Sequence, residues 1–201
     1  MKFNTRELAT IAVFGTLWGI SEITIGSVLH ALNIPFAGAI LAAIGLIIAL
    51  IGRVFVPKRG SILFIGLIAT LLKLFSLGGI VIGPMIGILS EAILTELVLL
   101  LSKKPRLFTF VLAGSIGITW SLVQPLVTGP LLFGRTLFLV WLDLLDSGSR
   151  LLGLNSSAIF LIAAGLLVIY TAIGSAAGWI AWVIAKQLQI RMGRNQEEGS
   201  N

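Results

Sequence analysis

Cysteine is absent from the 201 residues, and histidine and tyrosine occur once each. Without cysteine there is no disulfide, no thiolate metal site and no cysteine nucleophile. With His30 alone and no carboxylate near it in sequence, a zinc site lacks ligands, and no cofactor is expected. Charge is scarce as well: Asp, Glu, Lys and Arg make up 11% of the chain, against about 25% in soluble domains. So few charges cannot coat a 21.4 kDa protein in water. That excludes a soluble enzyme, a nucleic-acid-binding module and a disordered tail. Also missing are a Walker A motif, a His-rich or Asp-rich motif for intramembrane metal catalysis, and the internal duplication that many secondary carriers carry.

What remains is apolar. Hydrophobic residues make up 57% of the chain, and the mean hydropathy is +1.08. The composition is that of an all-α integral membrane protein. A crossing helix needs about 20 apolar residues. Six stretches come close, at 8–30, 35–55, 61–77, 81–101, 107–128 and 156–185. Gly78, Gly79 and Pro84 mark the turn between the third and fourth, and Gly129-Pro130 ends the fifth. The sixth is long enough to tilt or to project beyond the bilayer. Residues 131–145 are also apolar but too short to cross, with Arg135, Asp143 and Asp146 around them. They are expected to form an interfacial or lid helix on the outer face, between spans five and six. One membrane domain is expected over 1–190, followed by a polar, disordered cytoplasmic tail over 191–201. No cleavable signal peptide is expected: the apolar run after Lys2 and Arg6 is too long for one and has no Ala-x-Ala site.

The net charge of +6 and the pI near 10.3 would suggest nucleic acid in a soluble chain. Here the basic residues cluster between the apolar runs. Lys2, Arg6, Arg53, Lys58, Arg59, Lys103, Lys104, Arg106, Lys186, Arg191 and Arg194 fall on one side of a six-span layout. Only Lys73, Arg135 and Arg150 fall on the other. Excess Lys and Arg stay in the cytoplasm, so both termini are expected inside a cell (cytoplasmic) membrane. Trp179 and Trp182, close to Lys186, read as an anchor at the inner interface.

Lipid tails give helices no hydrophobic reason to associate, so small residues and polar contacts mediate packing. The sequence offers Gly15-x-x-x-Gly19, Ala39-x-x-x-Ala43, the row Gly79, Gly83, Gly87, and Gly174-x-x-x-Gly178. Each fits packing within the chain. Gly15, Gly19, Gly174 and Gly178 also fit a smooth face for a partner subunit, shared by the first and last helices.

A charge at the bilayer centre costs about 2.5–3.5 kcal/mol on insertion scales, so intramembrane polar groups face protein or water. Glu22, Lys73, Glu91 and Gln124 come from four spans and converge on the outer half. Gln124 shares a helical face with Gly117, Trp120, Ser121 and Thr128, and Glu96 lies deeper than Glu91. Trp18 precedes Glu22 by one turn, a pairing suited to a cationic or aromatic ring ligand. His30 and Arg135 lie at the outer surface. Trp18, Glu22, His30, Lys73, Glu91, Trp120, Gln124 and Arg135 are therefore the candidate substrate-binding residues. The competing reading is structural, with Glu22 or Glu91 paired to Lys73 only to hold the bundle together.

Six spans in about 200 residues, both ends inside, and the start Arg6-Glu7-Leu8-Ala9-Thr10-Ile11-Ala12 resemble the S component of energy-coupling factor (ECF) vitamin transporters. The resemblance implies a non-enzymatic subunit that binds a small nutrient from outside. It also implies a transmembrane coupling subunit and two ATPases as partners, and toppling in the membrane to release the ligand. The family often shows Ala-x-x-x-Ala in the first span as its docking surface. This chain has Ala9 and Ala12 but no such pair, and Gly15-x-x-x-Gly19 is the nearest equivalent. Two other functions fit the residues: a membrane scaffold or assembly subunit, and a small ion-coupled carrier using Glu22, Glu91 and Glu96 as a relay.

The charge distribution makes a direct prediction. Single cysteines placed at Lys58 or Lys104 should resist a membrane-impermeant thiol reagent added outside intact cells and react once the membrane is opened. Labelling from outside would reverse the assigned topology.

Overall fold

A computed structural model describes residues 2–32, 34–76, 82–101, 106–155 and 157–198, with the side chains of residue 30 and of 192–198 excepted. His30, Gly79, Lys103, Lys104 and Arg194 thus lie wholly or by their side chains outside the described residues. The described chain is helical: α1 (Thr5–Ala31), α2 (Ala37–Phe55), α3 (Ser61–Lys73), α4 (Ile82–Leu100), α5 (Leu107–Phe133), α6 (Leu137–Leu152) and α7 (Ile159–Glu198). Five of these, α1, α2, α4, α5 and α7, are long and apolar enough to cross a membrane. The multi-pass, all-α architecture expected from composition is therefore present.

α3 differs from its expected 61–77. It has 13 residues and ends at Lys73, a length of about 20 Å against a hydrocarbon core near 30 Å. α5 also differs, running through Pro125 and Pro130 to Phe133 instead of stopping at residue 128. Each proline removes one i→i−4 bond without ending the helix. The stop is Gly134, whose left-handed φ of 61° lets its N–H turn back to the Gly129 and Pro130 carbonyls. The short helix expected over 131–145 accordingly starts later and runs further, as α6 over Leu137–Leu152, with Thr136 Oγ1 accepting from the Leu139 N–H at 3.3 Å. α6 packs on α5 and α7 through buried Val140, Leu145, Gly148 and Ser149. The tail expected to lack structure continues α7 as far as Glu198. Gln187, Leu188, Gln189, Arg191 and Met192 are good helix formers, and they propagate a helix already nucleated by the span.

α2 is the central helix and touches α1, α3, α4, α5 and α7. Its buried face is built from Ala39, Ala42, Gly45, Ala49 and Gly52 among larger leucines, which allows so many neighbours to approach. Trp18, fully buried, fills the space that Gly45 leaves open, where a Cβ would run into its indole ring.

The glycine rows bring helices together, but within the chain. Gly15 and Gly19 lie against α3, where a Cβ would come within 2.7 Å of Ile68 and Leu72. Gly174 and Gly178 lie against α5, where a Cβ would meet the carbonyls of Gly114 and Phe110. Beside that seam Ser115 Oγ meets Ser175 Oγ at 2.8 Å, and Thr119 Oγ1 meets Thr171 Oγ1 at 3.3 Å. Among the described residues α1 and α7 make no contact. The shared docking face expected of these four glycines is thus corrected: each pair is buried against a neighbouring helix of the same chain. At the far end Lys186 Nζ stands 4.9 Å above the Trp182 ring, as an interfacial anchor would.

Gly178→Leu should destabilise the protein, because the atoms it meets are backbone and cannot yield; overpacking costs about 1–3 kcal/mol or more. Gly38→Ala meets nothing within 4 Å and should leave the melting temperature in detergent unchanged or higher. Equal losses in the two variants would refute this account of the seam.

Candidate functional site

Two polar layers lie at opposite ends of the bundle. In the first, Glu96 of α4 accepts the Gly60 and Ile62 N–H groups at 2.7 and 3.1 Å and meets Arg53 Nη1 at 3.3 Å. Arg53 also donates to Ser61 Oγ at 3.1 Å. Nearby, Lys58 Nζ binds Glu7 Oε2 at 2.7 Å. Every strong acceptor here is engaged by a donor of the chain itself, so the layer ties helices together.

The second layer surrounds a cavity of about 310 Å³. It opens among the N-terminal ends of α2 and α4, the C-terminal ends of α3 and α5, and the Glu22 turn of α1. Glu22, Lys73, Glu91 and Gln124 all line it, as expected from their depth in the spans, and Ser121 joins them. Lys73 Nζ donates to the Glu22 carboxylate at 3.1 Å and to the Glu22 carbonyl at 3.0 Å. That settles which carboxylate Lys73 neutralises. Glu91 is treated differently. It is 4% exposed and accepts from Ser121 Oγ at 2.8 Å. Among the described residues no Lys or Arg lies within ion-pair distance of it. Gln124 Nε2 donates to the Gly83 carbonyl at 2.7 Å. Its Oε1 occupies the space over Gly87, where a Cβ would lie 2.6 Å away. Gly87 thus admits the amide oxygen beside Glu91.

Three candidates fall elsewhere. Trp18 lies one turn deeper than Glu22 and is enclosed by α2 and α3, so its ring does not line the cavity. The expected sharing of a site by Trp18 and Glu22 is therefore corrected; helical spacing aligned the two residues, but the gap at Gly45 takes the indole inward. Trp120 is partly buried, and its Nε1 has no hydrogen-bond partner among the described residues; it too lies outside the lining. Arg135 pairs with Asp143 at 2.6 Å on the surface and is a local brace of the α5–α6 turn. The side chain of His30 lies outside the described residues. The apolar walls, from Leu41, Ala42, Ile88 and Phe133, went unnoticed in the sequence. An apolar residue facing a cavity carries the same signal there as one facing lipid.

The lining can accept and donate hydrogen bonds, and it is small, at the low end of the usual range for ligand pockets. No family model matches this chain, and no curated protein or solved structure matches it.

The Glu22–Lys73 pair has a clear energetic test. Glu22→Leu alone leaves a buried ammonium without its counter-ion and should cost about 3–5 kcal/mol, whereas Glu22→Leu with Lys73→Met should recover most of that loss. Chemical denaturation of the three proteins reads the difference. A double variant no more stable than the single one would contradict the pairing.

Proposed function

We propose that this chain is the substrate-capture subunit of an ECF-type, ATP-driven importer, binding a vitamin, a vitamin precursor or a similar small nutrient from outside the cell. The observation that carries this reading is the 310 Å³ cavity, walled by five helices and holding three ionisable side chains at the end away from the Arg53–Glu96 layer. In the six-span, N-in/C-in arrangement of the basic residues, that end faces outward. α3 with the segment behind it then makes the sixth crossing, and α6 lies along the outer interface. The membrane is the cell's cytoplasmic one. The subunit performs no chemical step itself. Its energy comes from two ATPases acting through a transmembrane coupling subunit, in keeping with the lack of a Walker A motif.

Docking on Gly15 and Gly19 does not suit this packing, because α3 occupies that face. The outward side of α1, with Ala9, Ala12 and Thr16 exposed, is the better coupling surface. A proton relay through Glu22, Glu91 and Glu96 is disfavoured by geometry: Glu22 is held by Lys73, and Glu96 by Arg53 and two backbone N–H groups. A purely structural role for the polar groups does not account for the cavity between them.

Mild-detergent purification from native membranes should bring down a membrane subunit and two ATPases, and uptake of the compound released on denaturing the protein should need ATP. Uptake that collapses with a protonophore while ATP is maintained, without co-purifying ATPases, would replace this reading with the carrier.

A further inference from the structure

The chemistry of the cavity narrows the ligand. Its ionisable lining is Glu22, Lys73 and Glu91. Lys73 neutralises Glu22 at 3.1 Å, so Glu91 is left as the carboxyl of the lining without a cationic partner among the described residues. That carboxylate is 4% exposed and receives one hydroxyl hydrogen bond, from Ser121. A carboxylate has room for about four hydrogen bonds across its two oxygens. A buried one without a cation is costly unless something supplies the missing charge and donors. Beside it stands the Gln124 carbonyl oxygen, a second acceptor, positioned by the Nε2 bond to Gly83. Two acceptors, one of them a carboxyl with no cation of its own, suit a cationic N–H donor. Leu41, Ile88 and Phe133 give the lining its apolar part. A volume of about 310 Å³ equals the liquid share of roughly ten water molecules, enough for one ring with a short arm.

We propose that the cavity takes a small ligand carrying a protonated amine or amidine on an apolar ring or chain, with its cationic nitrogen on Glu91 and Gln124. The inference rests on the capture reading for its biological sense, but the isolated chain tests it. Lys73 does not oppose the ligand's charge, since its ammonium is turned to the Glu22 carbonyl and carboxylate. An anionic ligand would have to displace Glu22 from Lys73 and sit against Glu91.

Benzylamine, benzyl alcohol and benzoate share one shape and differ in charge. With the full-length protein in nanodiscs at pH 7, calorimetry should find benzylamine bound about tenfold more tightly than benzyl alcohol, as a charge-assisted bond requires. Benzoate should not bind. Glu91→Gln should erase the preference for the amine, while Asp143→Asn, at the surface, should retain it. If Glu91→Gln does not fold, the wild-type trio decides the matter. Equal affinity for amine and alcohol, tighter binding of benzoate, no binding of any of the three, or a preference surviving in Glu91→Gln would each overturn the proposal. Binding of benzyl alcohol or benzoate without amine preference would leave the capture reading standing and remove only the cation. Amine-selective binding by a protein that co-purifies with no ATPase would keep the cation site and remove the importer.

Discussion

The Glu96 carboxylate holds the register of the bundle. In a bilayer the first N–H groups of a helix have no water to turn to, and each left unpaired costs several kcal/mol. At the start of α3 that need is met by Glu96 of α4, which accepts the Gly60 and Ile62 N–H groups. An anion at a helix N-terminus also sits at the favourable end of the dipole. Arg53 balances the charge and fixes Ser61 in turn. With its start pinned to α2 and α4, α3 runs 13 residues, about 20 Å, to Lys73, which closes on Glu22 of α1. The helix is a strut with an ionic joint at each end, and the cavity lies at the second joint.

Between the joints, contact depends on absent side chains. Trp18 is accommodated because residue 45 is glycine, α4 brings Ala92 against α3 because residue 66 is glycine, and α5 meets α7 backbone to backbone because residues 114, 174 and 178 are glycine. Lipid competes with any apolar surface on equal terms, so close approach and matched hydroxyls, such as Ser115 with Ser175, carry much of the cohesion.

Composition and charge made the class of this protein legible, and the rarity of intramembrane charge made four of the cavity residues legible. Glu22, Lys73, Glu91 and Gln124 had to face protein or water, and one cavity lies within reach of them all. Sequence periodicity could not say which helices are neighbours. The glycine rows correctly announced close approach, yet which helix approaches is a property of the whole bundle. The same limit applies to Trp18: spacing put it under Glu22, and volume took it elsewhere. Arg135 was drawn to Asp143, a partner one helix onward that no depth argument reveals. Helix ends were misjudged where proline was taken as a stop, at Pro130, and where a polar run was taken for disorder, after Arg191.

The short strut has an effect on the membrane itself. Leu63, Phe64, Leu67 and Leu71 expose the outer side of α3, and a helix of 13 residues matches a slab roughly 10 Å thinner than an average hydrocarbon core. Were α3 the sixth crossing, lipids beside it would compress, at a cost of fractions of a kcal/mol per ångström. The headgroup layer would then dip toward the midplane on the flank where Lys73 and Glu22 lie. The protein would deform its own solvent, bringing a wetter, more polarisable boundary to the cavity. Thin bilayers would accommodate that dimple at least cost.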